Sequence, residues 1–218
     1  LLRELAQKAP GTFQHSLQVA SLAEEGVYKV GGNPLLVRTG AMYHDIGKMK
    51  NPRYFIENMV GGVNPHEDMA YEDSAKIIIS HVIDGIELAK ENKLPEQIID
   101  FIRTHHGTTL TRYFYRHYQL EHQDEVIDED KFRYPGPVPF SKETAVLMMA
   151  DSVEAASRSL KKYDATSIDD LVDRVIGSQM EENQFLNSDI TLRDITNIKK
   201  IFKKRLMNIY HVRIEYPR

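Results

Sequence analysis

The chain has 218 residues, 41% of them hydrophobic and 28% charged, an ordinary globular balance with enough apolar material for one sizeable core or at most two small ones. With Lys+Arg at 28, Asp+Glu at 32 and a formal net charge of -4, it lacks the broad basic field that grasps nucleic-acid polymers, so an anionic ligand needs a local positive site. Cysteine is absent, which excludes disulfides and thiolate metal sites, and no apolar run approaches the roughly 20 residues that cross a bilayer.

The elements read almost entirely as helix. Residues 1 to 33 predict helix, with Pro10-Gly11-Thr12 as a start signal, Leu17, Ala20, Leu22, Ala23 and Val27 as its apolar stripe, and Gly31-Gly32 as its stop. Pro34 opens a second helix expected to run to Gly47, and small residues Gly40 and Ala41 invite a close neighbour. Residues 49 to 66 are punctuated by Asn51-Pro52 and Asn64-Pro65 and read as loop, in which Tyr54 and Phe55 either pack the loop down or offer a surface for stacking a base. Helix returns over 67 to 92, with Ile77, Ile78, Ile79, Val82 and Ile83 at its centre, and Pro95 opens another leading into Thr104-His105-His106-Gly107.

From 108 to 141 the composition changes to an aromatic piece (Tyr113, Phe114, Tyr115, Tyr118), an acidic run and a Pro/Gly-rich turn. This is expected to be a partly irregular insertion or lid over a helical core. Helices follow at 142 to 162, about 168 to 182 and 191 to 210, with a short strand as an option at Val212 to Tyr216. The reading is all-α, a helical bundle forming a single domain over 1–218. His117 and His122, in the polar insertion, are expected to face solvent, and the lysine-rich face of the last helix is read as solvated.

Two polar residues stand where apolar ones belong: His81 within Ile77-Ile78-Ile79-Ser80-His81-Val82-Ile83 and Asp151 within Leu147-Met148-Met149-Ala150-Asp151. Burying a carboxylate costs several kcal/mol unless it is paired or binds a metal. Each alone reads as a hydrogen-bonded core group. His15, His44, Asp45, His81, His105, His106 and Asp151 together, spread over five helices or helix ends, read as metal ligands converging inside a bundle. Imidazole and carboxylate donors suit iron, manganese, cobalt or zinc, and seven donors exceed what one ion usually needs, so a shared Asp45 between two ions is the economical arrangement.

The order His15, His44-Asp45, His81, His105-His106, Asp151 resembles the HD superfamily of metal-dependent phosphohydrolases, and more closely the cytoplasmic catalytic domain of seven-transmembrane HD proteins, the PgpH-type cyclic di-AMP phosphodiesterases. The matching stretches include Gly11-Thr12-Phe13-Gln14-His15-Ser16, His44-Asp45-Ile46-Gly47-Lys48, Asn64-Pro65-His66, His105-His106-Gly107-Thr108 and Asp151-Ser152-Val153-Glu154-Ala155-Ala156-Ser157-Arg158. The resemblance implies two transition-metal ions, iron or manganese. One would be held by His15, His44, Asp45 and Asp151 and the other by Asp45, His81 and His105, with His106 either a further ligand or a phosphate contact.

The implied reaction is hydrolysis of cyclic di-AMP to linear pApA. Asp45, Lys48 and His106 are the implied catalytic groups, and Lys48, His66, Arg158 and Tyr54 the substrate contacts. Alternatives are hydrolysis of another nucleotide (cyclic di-GMP, (p)ppGpp or a deoxynucleoside triphosphate), a di-iron oxygenase on the same ligands, or a non-catalytic cyclic-dinucleotide receptor. The Gly-Tyr-Pro motif of the cyclic di-GMP branch is missing after His106, where the chain reads Gly107-Thr108-Thr109-Leu110. The first residue is Leu rather than Met, so the chain is expected to be part of a longer protein, tethered to transmembrane helices at the cytoplasmic side of the cell membrane. No nucleic-acid polymer is an expected partner. The sequence sets no oligomeric state, and a dimer is compatible with it.

Overall fold

The computed structural model describes residues 1–59, 61, 64–123 and 126–211. Among these it has nine α-helices: α1 (Leu2–Lys8), α2 (Pro10–Lys29), α3 (Pro34–Tyr43), α4 (Tyr71–Glu91), α5 (Glu96–Thr104), α6 (Arg112–Glu121), α7 (Lys142–Ser157), α8 (Ala165–Glu181) and α9 (Leu192–His211). The all-α reading holds; one isolated antiparallel bridge, Leu110 to Arg133, is the extended pairing among the described residues. The strand option at 212–216 lies outside them.

Several boundaries differ from expectation: the helix expected from 67 starts at Tyr71, the one expected to reach 162 ends at Ser157, and two more changes shape the site. The helix over 1 to 33 is broken at Ala9, whose φ of -136° is not helical, and Pro10 restarts it because proline suits a first turn that needs no N–H partner. The helix expected from Pro34 to Gly47 stops at Tyr43, and Ile46–Lys50 tightens into a 3-10 turn. His44 and Asp45 therefore sit at a junction, not within a regular helix. Lys48 is accordingly placed by the turn beside Asp45, and not over His44 as a continuous helix would place it.

The turn is also where backbones meet most closely. A Cβ on Gly47 would lie 1.9 Å from the His81 carbonyl oxygen and 2.5 Å from the Gly85 nitrogen, so only glycine lets the His44-Asp45 segment lie against α4. Gly47→Ala is expected to destabilise the protein by about 1–3 kcal/mol or more, because the clash is with backbone that cannot rotate away. Chemical denaturation would read this, and an unchanged midpoint would show that the two backbones can separate freely.

Two apolar clusters flank this junction. The larger joins α2, α3, α7, α8 and α9 through residues such as Val19, Val37, Leu147, Ile176 and Phe202. The smaller joins α1, the 3-10 turn, α4 and α5 through Leu5, Ile46, Ala89, Ile99 and Ile102. Helix α7 is buried over most of its length, with a capping box between Ser141 and Thr144 fixing its start. Leu147, Met148 and Met149 are each 1% exposed or less. Burying such side chains contributes about 1.5–3 kcal/mol apiece, which offsets the cost of carrying Asp151 on the same helix.

The 108–141 segment is closed at its neck. Thr111 N–H donates to Phe132 O at 2.7 Å and Tyr134 N–H to Thr109 O at 2.9 Å, while Phe132 and Tyr134 are buried. His117 and His122 depart from expectation: both are half-buried, His117 against Tyr71 and Tyr113 and His122 stacked on Tyr118. The amphipathic α6 puts its aromatic residues beside them, and ring contacts outcompete solvent there.

Candidate metal centre

Five elements aim polar side chains at one buried point. His15 comes from the first turns of α2, His44 and Asp45 from the end of α3, His81 from the middle of α4, His105 and His106 from the end of α5, and Asp151 from the middle of α7. Six of the seven are 5% exposed or less; His106 alone is half-buried.

Three of the imidazoles are oriented in the same way. Nδ1 of His44 donates to Ala41 O at 2.7 Å, that of His81 to Ile78 O at 2.5 Å, and that of His105 to Ile102 O at 2.8 Å. A carbonyl only accepts, so Nδ1 carries a proton in each and Nε2 is the atom turned inward. His15 uses a carboxylate instead: its Nδ1 lies 2.5 Å from Glu154 Oε2, with Nε2 2.9 Å from Asp151 Oδ1.

Asp45 divides the set. Its Oδ1 is 3.3 Å from His81 Nε2 and 3.5 Å from His105 Nε2, while its Oδ2 is 3.3 Å from His44 Nε2 and 3.6 Å from His15 Nε2. His44 Nε2 is also 3.6 Å from Asp151 Oδ1. Donor atoms converge in two groups, Asp45 with His81, His105 and His106, and His15 with His44 and Asp151.

The arrangement fits cations and is poorly satisfied by protein atoms alone. His44 Nε2 and Asp45 Oδ1 are buried without a hydrogen-bond partner. The Nε2 atoms of His81 and His105 are 3.1 Å apart. Two lone pairs do not face each other at that distance without a proton or a cation between them.

Charge is unevenly distributed across the centre. Burial alone would lower His44, but the charges of Asp45 and Asp151 outweigh it and push it up to about 10. Burial acts to raise Asp45, yet Lys48 and His44 hold it well below the usual carboxylate range, and His15 and His44 do the same for Asp151. His105 is lowered by burial, and His106 is driven well below its ordinary value by burial and by the charges of His105 and His81.

The structure places the remaining expected residues around this core. Lys48 Nζ bridges Asp45 Oδ2 at 2.7 Å and Glu57 Oε1 at 2.9 Å, over the ring of Phe55. Phe55 packs against His81 and, with Tyr54, lines the cleft outside. His66 is held by a 2.9 Å contact from Nε2 to Tyr54 O and sits between the rings of Tyr54 and Phe114. Arg158 is engaged by Glu154 through Nε and a terminal nitrogen, and so reaches the centre through His15's partner.

Sequence reasoning missed Glu154, Glu57 and Tyr134. Glu154 follows Asp151 by three residues on a buried helix, a signal that was present. Tyr134, stacked on His106 at 4.1 Å, comes from an irregular Pro/Gly-rich stretch with no periodicity to read.

The centre opens on a bent cleft. One lobe, of 510 Å³, is lined by His15, Lys48, His106, Asp151 and Arg158; the other, of 630 Å³, is mostly aromatic, with Tyr54, Phe55, His66, Phe114 and Tyr134. Ile56, Glu57 and His106 line both lobes.

A helical bundle with a buried His/Asp centre of this kind offers donor groups that could hold metal ions. The chain belongs to the HD domain family, whose pattern matches residues 12–156 and implies divalent metal binding. It is 45% identical over 217 residues to cyclic-di-AMP phosphodiesterase PgpH of Listeria monocytogenes serotype 1/2a (strain 10403S), and 43% identical to PgpH of Bacillus subtilis (strain 168). Both alignments cover 100% of this chain but 30% of the relative, so the chain spans under a third of their length. A crystal structure of the L. monocytogenes phosphodiesterase PgpH HD domain in complex with cyclic-di-AMP is 44% identical, covers 96% of this chain and 97% of that one, and superposes with a TM-score of 0.93. No helix among the described residues is long and apolar enough to cross a membrane.

Proposed function

We propose that this chain is the catalytic domain, residues 1–218, of a metal-dependent phosphodiesterase that hydrolyses cyclic di-AMP to the linear dinucleotide pApA. The observation that carries it is the paired set of inward-facing, unsatisfied donors around Asp45, opening on a cleft with one charged and one aromatic lobe. The likeness to PgpH across the whole chain supports the choice of substrate.

In this reading His15, His44, Asp45 and Asp151 would hold one ion and Asp45, His81 and His105 the other, iron or manganese by the resemblance, with His106 a further ligand or a phosphate contact. Such ions supply Lewis acidity and bring water towards deprotonation at neutral pH. Hydrolysis adds one water across a P–O3′ bond, leaving a 5′-phosphate on one nucleoside and a 3′-hydroxyl on the other. Lys48, permanently charged because Asp45 and Glu57 outweigh its burial, offsets negative charge building on the phosphoryl oxygens. Tyr134 fixes His106 at the junction of the lobes by stacking, and the aromatic lobe with Tyr54 and His66 takes an adenine. Arg158 holds Glu154 in place behind His15 and adds positive potential to the phosphate lobe.

Glu154 orients a ligand without touching substrate, so Glu154→Gln is expected to weaken metal binding by roughly 10–100-fold while the fold persists. Metal titration followed by circular dichroism would read both, and undiminished affinity would remove Glu154 from the site. The longer protein that contains this chain is, in the same proposal, anchored by transmembrane helices with this domain at the cytoplasmic side of the cell membrane.

The deciding experiment incubates the iron- or manganese-loaded protein with cyclic di-AMP and cyclic di-GMP separately and identifies the products. pApA is expected from the first, with the second turned over more slowly. No turnover of either dinucleotide overturns the proposal.

A further inference from the structure

A second cavity, of 720 Å³, is larger than either lobe of the cleft and lies between the start of α6 and α8. It is lined by Arg112, Arg116 and Arg174 against a single carboxylate, Glu182, in a chain whose net charge is -4. Arg112 is committed to Glu182 and to Ser178 Oγ. Arg116 and Arg174 have no ion-pair partner among the described residues. By contrast Lys199 and Lys203, which face α8 from α9, are neutralised by Asp173 and Asp169.

Two further features of its wall stand out. Gln179 is 5% exposed; its Nε2 donates to Ser152 Oγ at 2.8 Å, but its Oε1 is buried with no hydrogen-bond partner. A buried acceptor without a donor is costly, which marks the wall beside Ser152 as unusually polar. Tyr113, 63% exposed, presents an aromatic face beside His117, with ring centroids 4.5 Å apart. Free guanidinium groups recognise phosphate, and an exposed aromatic ring stacks a base.

We propose that this cavity binds a nucleoside 5′-monophosphate, its phosphate on Arg116 and Arg174 and its base against Tyr113, at a site separate from the metal centre. Thr109, Leu110, Arg112 and Tyr113 line both this cavity and the aromatic lobe, and Ser152 lines both it and the charged lobe, so the cavity adjoins the cleft. Thr109 in turn bonds His106 O through its N–H at 3.1 Å and its hydroxyl at 2.8 Å, which puts an occupant of the cavity one residue from the centre's edge. The inference does not depend on the reaction proposed above.

Calorimetric titration of adenosine 5′-monophosphate into the full chain tests it, with Arg116→Ala/Arg174→Ala and Asp45→Ala variants in parallel. Both arginines are exposed, so the double variant is expected to fold, as circular dichroism would verify. Binding is expected to weaken roughly tenfold or more in the double variant and to persist at wild-type affinity in Asp45→Ala, and adenosine without phosphate is expected to bind at least as poorly as the monophosphate does to the double variant. Unchanged affinity in the double variant, no measurable binding to the wild-type chain, or loss of binding in Asp45→Ala overturns the site. Because binding is read directly and in a variant without the centre's bridging carboxylate, failure here is distinguishable from failure of the phosphodiesterase proposal.

Discussion

Asp45→Ala is expected to abolish both metal retention and turnover. Among the described residues, Asp45 is the one whose two oxygens face different imidazole pairs, Oδ1 towards His81 and His105 and Oδ2 towards His44 and His15. Removing it takes a ligand from both sets at once, while any other single deletion spares one of them. Metal ions contribute several kcal/mol of charge stabilisation to such reactions, and each 1.36 kcal/mol is tenfold, so a loss of about 10³-fold or more in kcat is expected. Elemental analysis of the purified variant and product quantification would check both halves. A variant that kept two ions and its full rate would show that Asp45 does not bridge. Asp45→Asn is the isosteric control: it keeps one acceptor oxygen and the shape, and is expected to lose metal for want of charge.

The site was more legible in the sequence than the elements that carry it. His81 and Asp151 stood out because charge inside an apolar helix demands a partner, and both are buried at the centre. His44-Asp45 stood out by composition, but its local structure did not. A helix pattern running on past Tyr43 gave no sign that the chain tightens into a 3-10 turn, because that turn is imposed by contact with α4 through Gly47 and not by local propensity. The groups that orient the ligands were harder still. The Nδ1 partners of His44, His81 and His105 are backbone carbonyls, which carry no residue signature. Tyr134 reaches His106 only because the 108–141 segment closes on itself through Thr109 and Thr111, a long-range pairing invisible to periodicity. Arg158 is expected from sequence as a phosphate contact, whereas its engagement with Glu154 is an i,i+4 pair along α7.

Lys48→Ala is expected to separate catalysis from metal binding. The side chain is mostly buried and carries the only cationic nitrogen in contact with both Asp45 and Glu57 among the described residues. Burial disfavours its charge, but the two carboxylates more than compensate, so it remains protonated throughout the range in which the protein would be assayed. Its loss removes a fixed positive charge from the edge of the phosphate lobe; deletion of one preorganised donor of that kind costs about 10²–10³ in kcat. Metal content is expected to stay near wild type, since no imidazole or carboxylate is removed. Stability should move the other way in the metal-free protein. There Asp45 and Glu57 would lose their shared cation, and breaking a buried ion pair costs about 3–5 kcal/mol. With metal bound, Asp45 has other positive charge beside it and the penalty shrinks. Thermal unfolding with and without chelator would therefore show a larger midpoint difference for Lys48→Ala than for wild type. If kcat were unchanged while metal content fell, Lys48 would be a support for Asp45 alone, and the charge that stabilises the phosphoryl group would have to come from the metal ions and Arg158.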